Sequence, residues 1–457
     1  MIRSNLLILT LINFCERLSY YGTRAILLYY MYYSFADGGL GIDKSNAVVY
    51  VSLYGSAVYL STILGGYISD KYIGSSNTLL LGGVFLIIGH LFLSLPFGVS
   101  SLAVGCLSII FGTGMIRPSL SNQVGKLSTT PQQSNQFFTI FIMGSSFGGI
   151  LATTIINNIG QNLGFRYGFL ISASGMLIGV IIYVIYNLKN KRHALEIAKL
   201  SGVNAVAPLF IFIASCLGAF IYFVPLIYIK SIFTVVVVCV ITGNFIFIYK
   251  SSNTKDYERD IFKRFIFVFC ISVLIWTVSE QVSTVIAIFS DDFINRNIGN
   301  FELSGTTFEA ILPVFSLLFS PIYLWLFVKF KKVSGETKMI LGLAFMALSM
   351  VYLGIILYLF NGQTGLSPII VIIYFFILIQ GKLISQPVEM TLAKGYAPAY
   401  FVSSVYALTA TARSFAGIIN SWTAPLYIQS PIMYFTIDGV VLLCLSGILF
   451  LYYKYVI

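Results

Sequence analysis

The chain has 457 residues, of which 58% are hydrophobic and only 9% charged, with 27 Lys and Arg against 16 Asp and Glu. A soluble domain carries about 25% charged residues, so this composition excludes a water-soluble fold; the net charge of +11 then points to a membrane topology rather than to a nucleic-acid partner. The six cysteines lie in apolar stretches without paired spacing, so free thiols are expected, not disulfides or a metal site.

About 20 apolar residues are needed to cross a bilayer as a helix. By that measure an all-α membrane protein with fourteen spans is expected, at roughly 5–33, 45–69, 77–97, 99–124, 134–158, 164–187, 203–225, 227–249, 262–290, 306–329, 337–361, 367–393, 400–424 and 431–456. The first run is too long and too charged for a cleavable signal peptide. Six spans at each end read as two bundles, residues 1–188 and 262–457, while 189–261 holds basic linkers and two inserted helices. The inserted pair carries one charge, Lys230, and reads as a lipid-facing insert. With both termini in the cytoplasm, cytoplasmic segments hold 18 of the 27 Lys and Arg and outside loops four, which sets the expected orientation.

The first span contains Glu16, Arg17 and Arg24 within an apolar run, and a charge at the centre of a membrane helix costs about 2.5–3.5 kcal/mol. Arg17, Tyr20, Tyr21 and Arg24 follow i, i+3, i+4, i+7 spacing and so share one helical face. Two guanidinium forks beside two phenols suit a carboxylate-bearing cargo. An ion-pair cluster that only holds helices together is the competing reading. Between the second and third spans, Gly65-Gly66-Tyr67-Ile68-Ser69-Asp70-Lys71 combines small residues for close helix approach with a capping acid. His90 stands alone in the third span and reads as a buried hydrogen-bonding group more than as a switch. Gly144-Ser145-Ser146-Phe147-Gly148 spells a nucleophile pattern, yet its place inside a span makes helix packing the better reading.

These stretches resemble the proton-dependent oligopeptide transporter family of the major facilitator superfamily. Its first-span signature, Glu-x-x-Glu-Arg-Phe-x-Tyr-Tyr-Gly, is met by Glu16, Arg17, Tyr20, Tyr21 and Gly22, while Asn13 replaces a proton-coupling Glu. Gly66, Asp70 and Lys71 resemble the superfamily's gating motif. Gly112-Thr113-Gly114-Met115-Ile116-Arg117-Pro118 resembles a motif with Lys at the Arg117 position. Ser146 stands where the family has an Asn that contacts substrate. Trp276 and Glu280-Gln281 match the seventh-helix pattern, whose Glu pairs with the second Arg of the first helix, here Arg24. Further departures are Leu312 for a pocket Asn, Thr409 for a pocket Trp, an added Arg413, and Lys382 for the acidic partner of the fourth-helix cation.

The resemblance implies a major facilitator fold: two six-helix bundles plus two extra central helices, working by alternating access. It implies a non-enzymatic, proton-coupled symporter of di- or tripeptides or peptide-like solutes in the cytoplasmic membrane. Such a protein would be a monomer with lipid, protons and cargo as partners, and it would need no cofactor beyond the proton gradient. The expected substrate-binding residues are Arg17, Tyr20, Tyr21, Arg24, Tyr59, Arg117, Ser146, Trp276, Glu280 and Lys382. The expected proton-coupling residues are Glu16, Glu280 and Glu389. Arg117 and Lys382 place two cations where the family has a neutral pair. Either Glu389, seven residues beyond Lys382 on the same helical face, or an anionic group on the cargo is expected to offset them. The alternative is therefore the same fold carrying a more anionic organic solute, with altered or no proton coupling.

Overall fold

The computed structural model describes residues 2–69, 73–127, 131–189, 225–252, 254–298, 301–302, 305–330, 332–398 and 401–456. The first inserted span, the linker at 190–193, Asp70 and Lys71 lie outside the described residues. The helices run in the order α1 (Ile2–Tyr32), α2 (Lys44–Ile68), α3 (Gly74–Ser94), α4 (Val99–Leu127), α5 (Pro131–Leu151), α6 (Asn157–Asn162) and α7 (Phe165–Lys189). After the undescribed stretch come α8 (Leu226–Lys250), α9 (Asp256–Glu280), α10 (Val285–Phe293), α11 (Ile311–Lys329), α12 (Gly335–Leu359), α13 (Ile369–Tyr396), α14 (Val402–Gln429) and α15 (Pro431–Val456). Two-residue strands at Asn297–Ile298 and Phe301–Glu302 form one antiparallel pair. Among the described residues, nine helices are long and apolar enough to cross a membrane.

Two spans expected as single helices are interrupted. The fifth passes through one π-helical turn at Ala152–Ile156 between α5 and α6. The ninth, expected over 262–290, starts earlier than expected, at Asp256, where the Lys255 backbone N–H donates to the Glu258 carboxylate at 2.9 Å. It then breaks after Glu280: Gln281–Ser283 form a tight turn, and Thr284 leaves the helical region at φ −132°, ψ −88°. The Thr284 hydroxyl and N–H both turn back onto the Gln281 carbonyl, which satisfies the backbone at the break.

The chain divides into two compact units, residues 1–43 with 57–229 and residues 44–56 with 230–457. In the first unit α1 packs on α4, α5 and α7, and α3 packs on α4 and α7. Small residues make these crossings possible. A Cβ on Gly65 would lie 2.0 Å from the Gly114 carbonyl oxygen, and one on Gly148 would lie 2.6 Å from the Phe14 carbonyl oxygen. The glycines of the apparent nucleophile pattern are thus the seat of α1 against α5, because Gly144 meets Thr10 in the same way. Gly65→Ala should lower thermal stability in detergent by about 1–3 kcal/mol, since α2 cannot back away from α4 without loosening the whole crossing. An unchanged melting midpoint would show that α2 yields there.

In the second unit α12 packs on α13 and α15, and α9 packs on α12, α13 and α14. Ser334 starts α12 by accepting the Thr337 N–H at 3.2 Å. At the far end of α13, the Tyr396 hydroxyl donates to the Glu336 carboxylate, and burial together with that carboxylate holds the phenol protonated above its usual range. The inserted helix α8 is mostly exposed, as a lipid-facing insert would be. One edge is nonetheless fastened: Lys230 Nζ lies 3.7 Å above the Trp422 ring, and Phe245 meets Phe262, Phe265 and Phe269.

Candidate functional site

The charged face of α1 is built around a fully buried acid. Glu16 has 0% exposure, and its two carboxylate oxygens take different cations: Oε2 lies 3.2 Å from Arg17 Nε and Oε1 lies 3.3 Å from Arg117 Nε. Arg17 and Glu16 are sequence neighbours, while Arg117 arrives from α4, where Pro118 follows it inside the helix. Around the ion pairs the phenols form walls. The Arg117 guanidinium carbon sits 4.3 Å from the Tyr20 ring centroid and 5.6 Å from that of Tyr59; Arg17 sits 5.8 Å from that of Tyr21. Tyr20 and Tyr21 meet edge to face at 5.4 Å. A guanidinium over aromatic faces keeps its charge without water, and its in-plane N–H groups still point outward for recognition. Arg117 Nη2 is buried and has no hydrogen-bond partner among the described residues.

Six of the expected residues, Glu16, Arg17, Tyr20, Tyr21, Tyr59 and Arg117, are therefore brought together within one unit. Arg24, two turns beyond Arg17 on α1, is buried at 6% exposure. Ser146 lies partly buried on α5, between the two glycines that seat that helix on α1. Asn13 donates to the Phe141 carbonyl at 2.9 Å, so the position of the family's first Glu here serves as a tie between α1 and α5. The counter-charge of Arg117 is a finding that sequence reasoning missed. Glu389 or cargo was expected to offset Arg117 and Lys382 together; the carboxylate in contact with Arg117 is Glu16, from the helix that α4 packs upon. Spacing could not show it, because residues 16 and 117 lie on different spans.

The second unit gathers another charged group around Trp276 of α9. Its indole N–H donates to the buried Glu389 carboxylate of α13, 3.3 Å from each oxygen. The Arg413 guanidinium of α14 lies 3.3 Å from the same ring's centroid, and Lys382 Nζ of α13 lies 5.8 Å from it. Trp276 and Lys382 thus lie near one another, and Glu389, expected on the same helical face as Lys382, accepts its hydrogen bond from Trp276. Arg413 had no assigned role, although a lone cation in the span 400–424 was the available signal. Glu280 ends α9 at 9% exposure, directly before the helix break. Next to it, the buried Gln281 donates to Asp438 of α15 at 3.1 Å, and Asn420 of α14 donates to the Thr277 carbonyl at 3.0 Å. Of the gating residues, Gly66 is in open surroundings, since a Cβ on it would meet nothing nearer than the Pro118 Cβ at 4.0 Å, and its neighbour Gly65 makes the close approach.

Long apolar helices with buried ionisable clusters at their centres define a multi-pass membrane transporter, because lipid-embedded charge is retained where solutes or ions pass. A family model described as the POT family matches residues 76–438. The chain is 32% identical to a di-/tripeptide transporter of Lactococcus lactis subsp. cremoris over 453 residues, covering 94% of this chain and 90% of that one. It is equally 32% identical to the uncharacterized transporter YclF of Bacillus subtilis (strain 168) over 455 residues, covering 96% and 91%. Its structure is similar to a POT family transporter in complex with 5-aminolevulinic acid, with a TM-score of 0.89, 28% identity, and 98% and 95% of the two chains covered. The protein belongs to the POT family of peptide transporters and has the major facilitator fold.

Proposed function

We propose that this transporter is a proton-coupled symporter of di- and tripeptides, working by alternating access in the cytoplasmic membrane with both termini inside. The observation that carries the reading is the Arg117 guanidinium, fixed by a buried Glu16 and two phenol faces, with one buried N–H group unsatisfied. Such a group is preorganised for a carboxylate, because the cost of desolvating and orienting the cation is already met within the fold. Arg17 and Arg24 extend the cationic face, Tyr20, Tyr21 and Tyr59 line it, and Ser146 supplies a hydroxyl. Glu280 is the proposed titrating group; Glu16 and Glu389 complete the set of buried acids.

Counterflow of labelled dialanine in proteoliposomes tests the reading directly. Exchange that saturates with unlabelled dialanine and collapses in Arg117→Gln is expected. No counterflow of any di- or tripeptide by active, folded protein would overturn it.

A second reading keeps the fold and changes the cargo to a more anionic solute. It is favoured by Lys382 and Arg413, two cations that flank Trp276. A thermal-shift screen against dipeptides, tripeptides and organic anions separates the two. Lys382→Glu should restore the family's acid at this position, improve dialanine uptake and weaken binding of any anion that stabilises the wild type. Equal dialanine binding by both forms, with no anion stabilising the wild type, would remove this second reading.

A further inference from the structure

His90 of α3 is fully buried and both ring nitrogens are engaged. Its Nε2 lies 2.6 Å from the Ser19 hydroxyl and its Nδ1 2.9 Å from the Thr23 hydroxyl, and both hydroxyls belong to α1. The Ser19 hydroxyl donates its hydrogen to the Ser172 carbonyl of α7 at 2.8 Å. That commitment determines the tautomer: Ser19 can only accept from the ring, so Nε2 carries the proton and Nδ1 accepts from Thr23. The result is one directed chain, Thr23 to His90 to Ser19 to the α7 backbone, joining three helices. A neutral imidazole with hydroxyl partners at both ends is a spacer, and no charged group takes part in the chain.

Ser19 and Thr23 lie about 130° round α1 from the centre of the face that carries Arg17, Tyr20, Tyr21 and Arg24, with Thr23 one i, i+3 step from Tyr20. Two off-axis anchors one turn apart, both held by one rigid ring, resist rotation of the helix about its axis and sliding along it. Rotation is the motion that would carry Tyr20 off the Arg117 guanidinium. We propose that His90 is a positioning residue that sets the rotational register of α1, and thereby cargo affinity, without carrying a proton. The inference rests on the reading of that face as the cargo site.

The test uses His90→Leu and His90→Gln in proteoliposomes, with labelled dialanine as probe. Leu keeps the volume filled, and Ser19 and Thr23 can turn to backbone carbonyls four residues back, so the helices still assemble. His90→Leu should raise KM about ten- to hundredfold with Vmax nearly unchanged, as expected when a binding face is displaced by a fraction of an ångström to one ångström. The ratio of proton-driven accumulation to exchange, and its pH profile, should match the wild type. His90→Gln, which keeps one donor and one acceptor, should recover much of the affinity. An unchanged KM in His90→Leu would overturn the proposal; so would loss of proton-driven accumulation with exchange intact, which would make His90 a proton carrier. If wild type moves no dialanine, the cargo reading fails by itself, and hydrogen exchange of residues 13–24 decides the rest. Faster exchange in His90→Leu, partly reversed in His90→Gln, supports the anchoring role; identical exchange in all three overturns it.

Discussion

Glu16→Gln is expected to be the most damaging single substitution in the first unit. It removes the one carboxylate that both Arg17 and Arg117 contact and leaves two cations in a site whose acid has 0% exposure. Breaking a buried pair by removing one partner costs about 3–5 kcal/mol, because the other charge stays desolvated without compensation. The melting midpoint should fall sharply, and dialanine uptake should be lost even at saturating substrate. Glu16→Asp, which keeps the charge on a shorter stem, should lie between the two. A Glu16→Gln protein of wild-type stability would show that Arg117 draws its compensation from a group other than Glu16.

Glu280→Gln should separate coupling from binding. Glu280 is buried at the end of α9, where the chain leaves the helix through Gln281–Ser283, so its carboxyl sits beside a backbone discontinuity and not inside a regular ladder. Such breaks at membrane depth are tolerated where they line a site. Gln preserves the shape and the capacity to hydrogen-bond but cannot titrate. Exchange of labelled dialanine should persist, while an imposed proton gradient should no longer drive accumulation above the external concentration. Full accumulation in this variant would move the coupling proton to another acid, with Glu389 the next to examine.

Much of the architecture was legible in the chain itself. Helix positions followed from apolar length, since lipid leaves the backbone no partners except its own, and the span limits at α2, α4, α7, α12 and α15 fall within a few residues of expectation. The π-helical turn at Ala152–Ile156 and the break after Glu280 were not legible. Hydropathy averages over many residues and is blind to one misplaced hydrogen bond. The packing role of Gly144 and Gly148 could be read because small residues inside an apolar run have few other uses.

Within the candidate site, the residue types on α1 were readable, since periodicity alone places Arg17, Tyr20, Tyr21 and Arg24 on one face. Their partners were not. That Glu16 neutralises Arg117, that Arg413 covers the Trp276 ring bonded to Glu389, and that His90 stands behind α1 all join residues far apart in sequence. A sequence determines which side chains a helix presents, because that depends on local geometry of about 3.6 residues per turn. Which charge meets which depends on how helices cross. Those crossings are decided by close approaches such as Gly65 on Gly114, which exist only once the tertiary structure has formed.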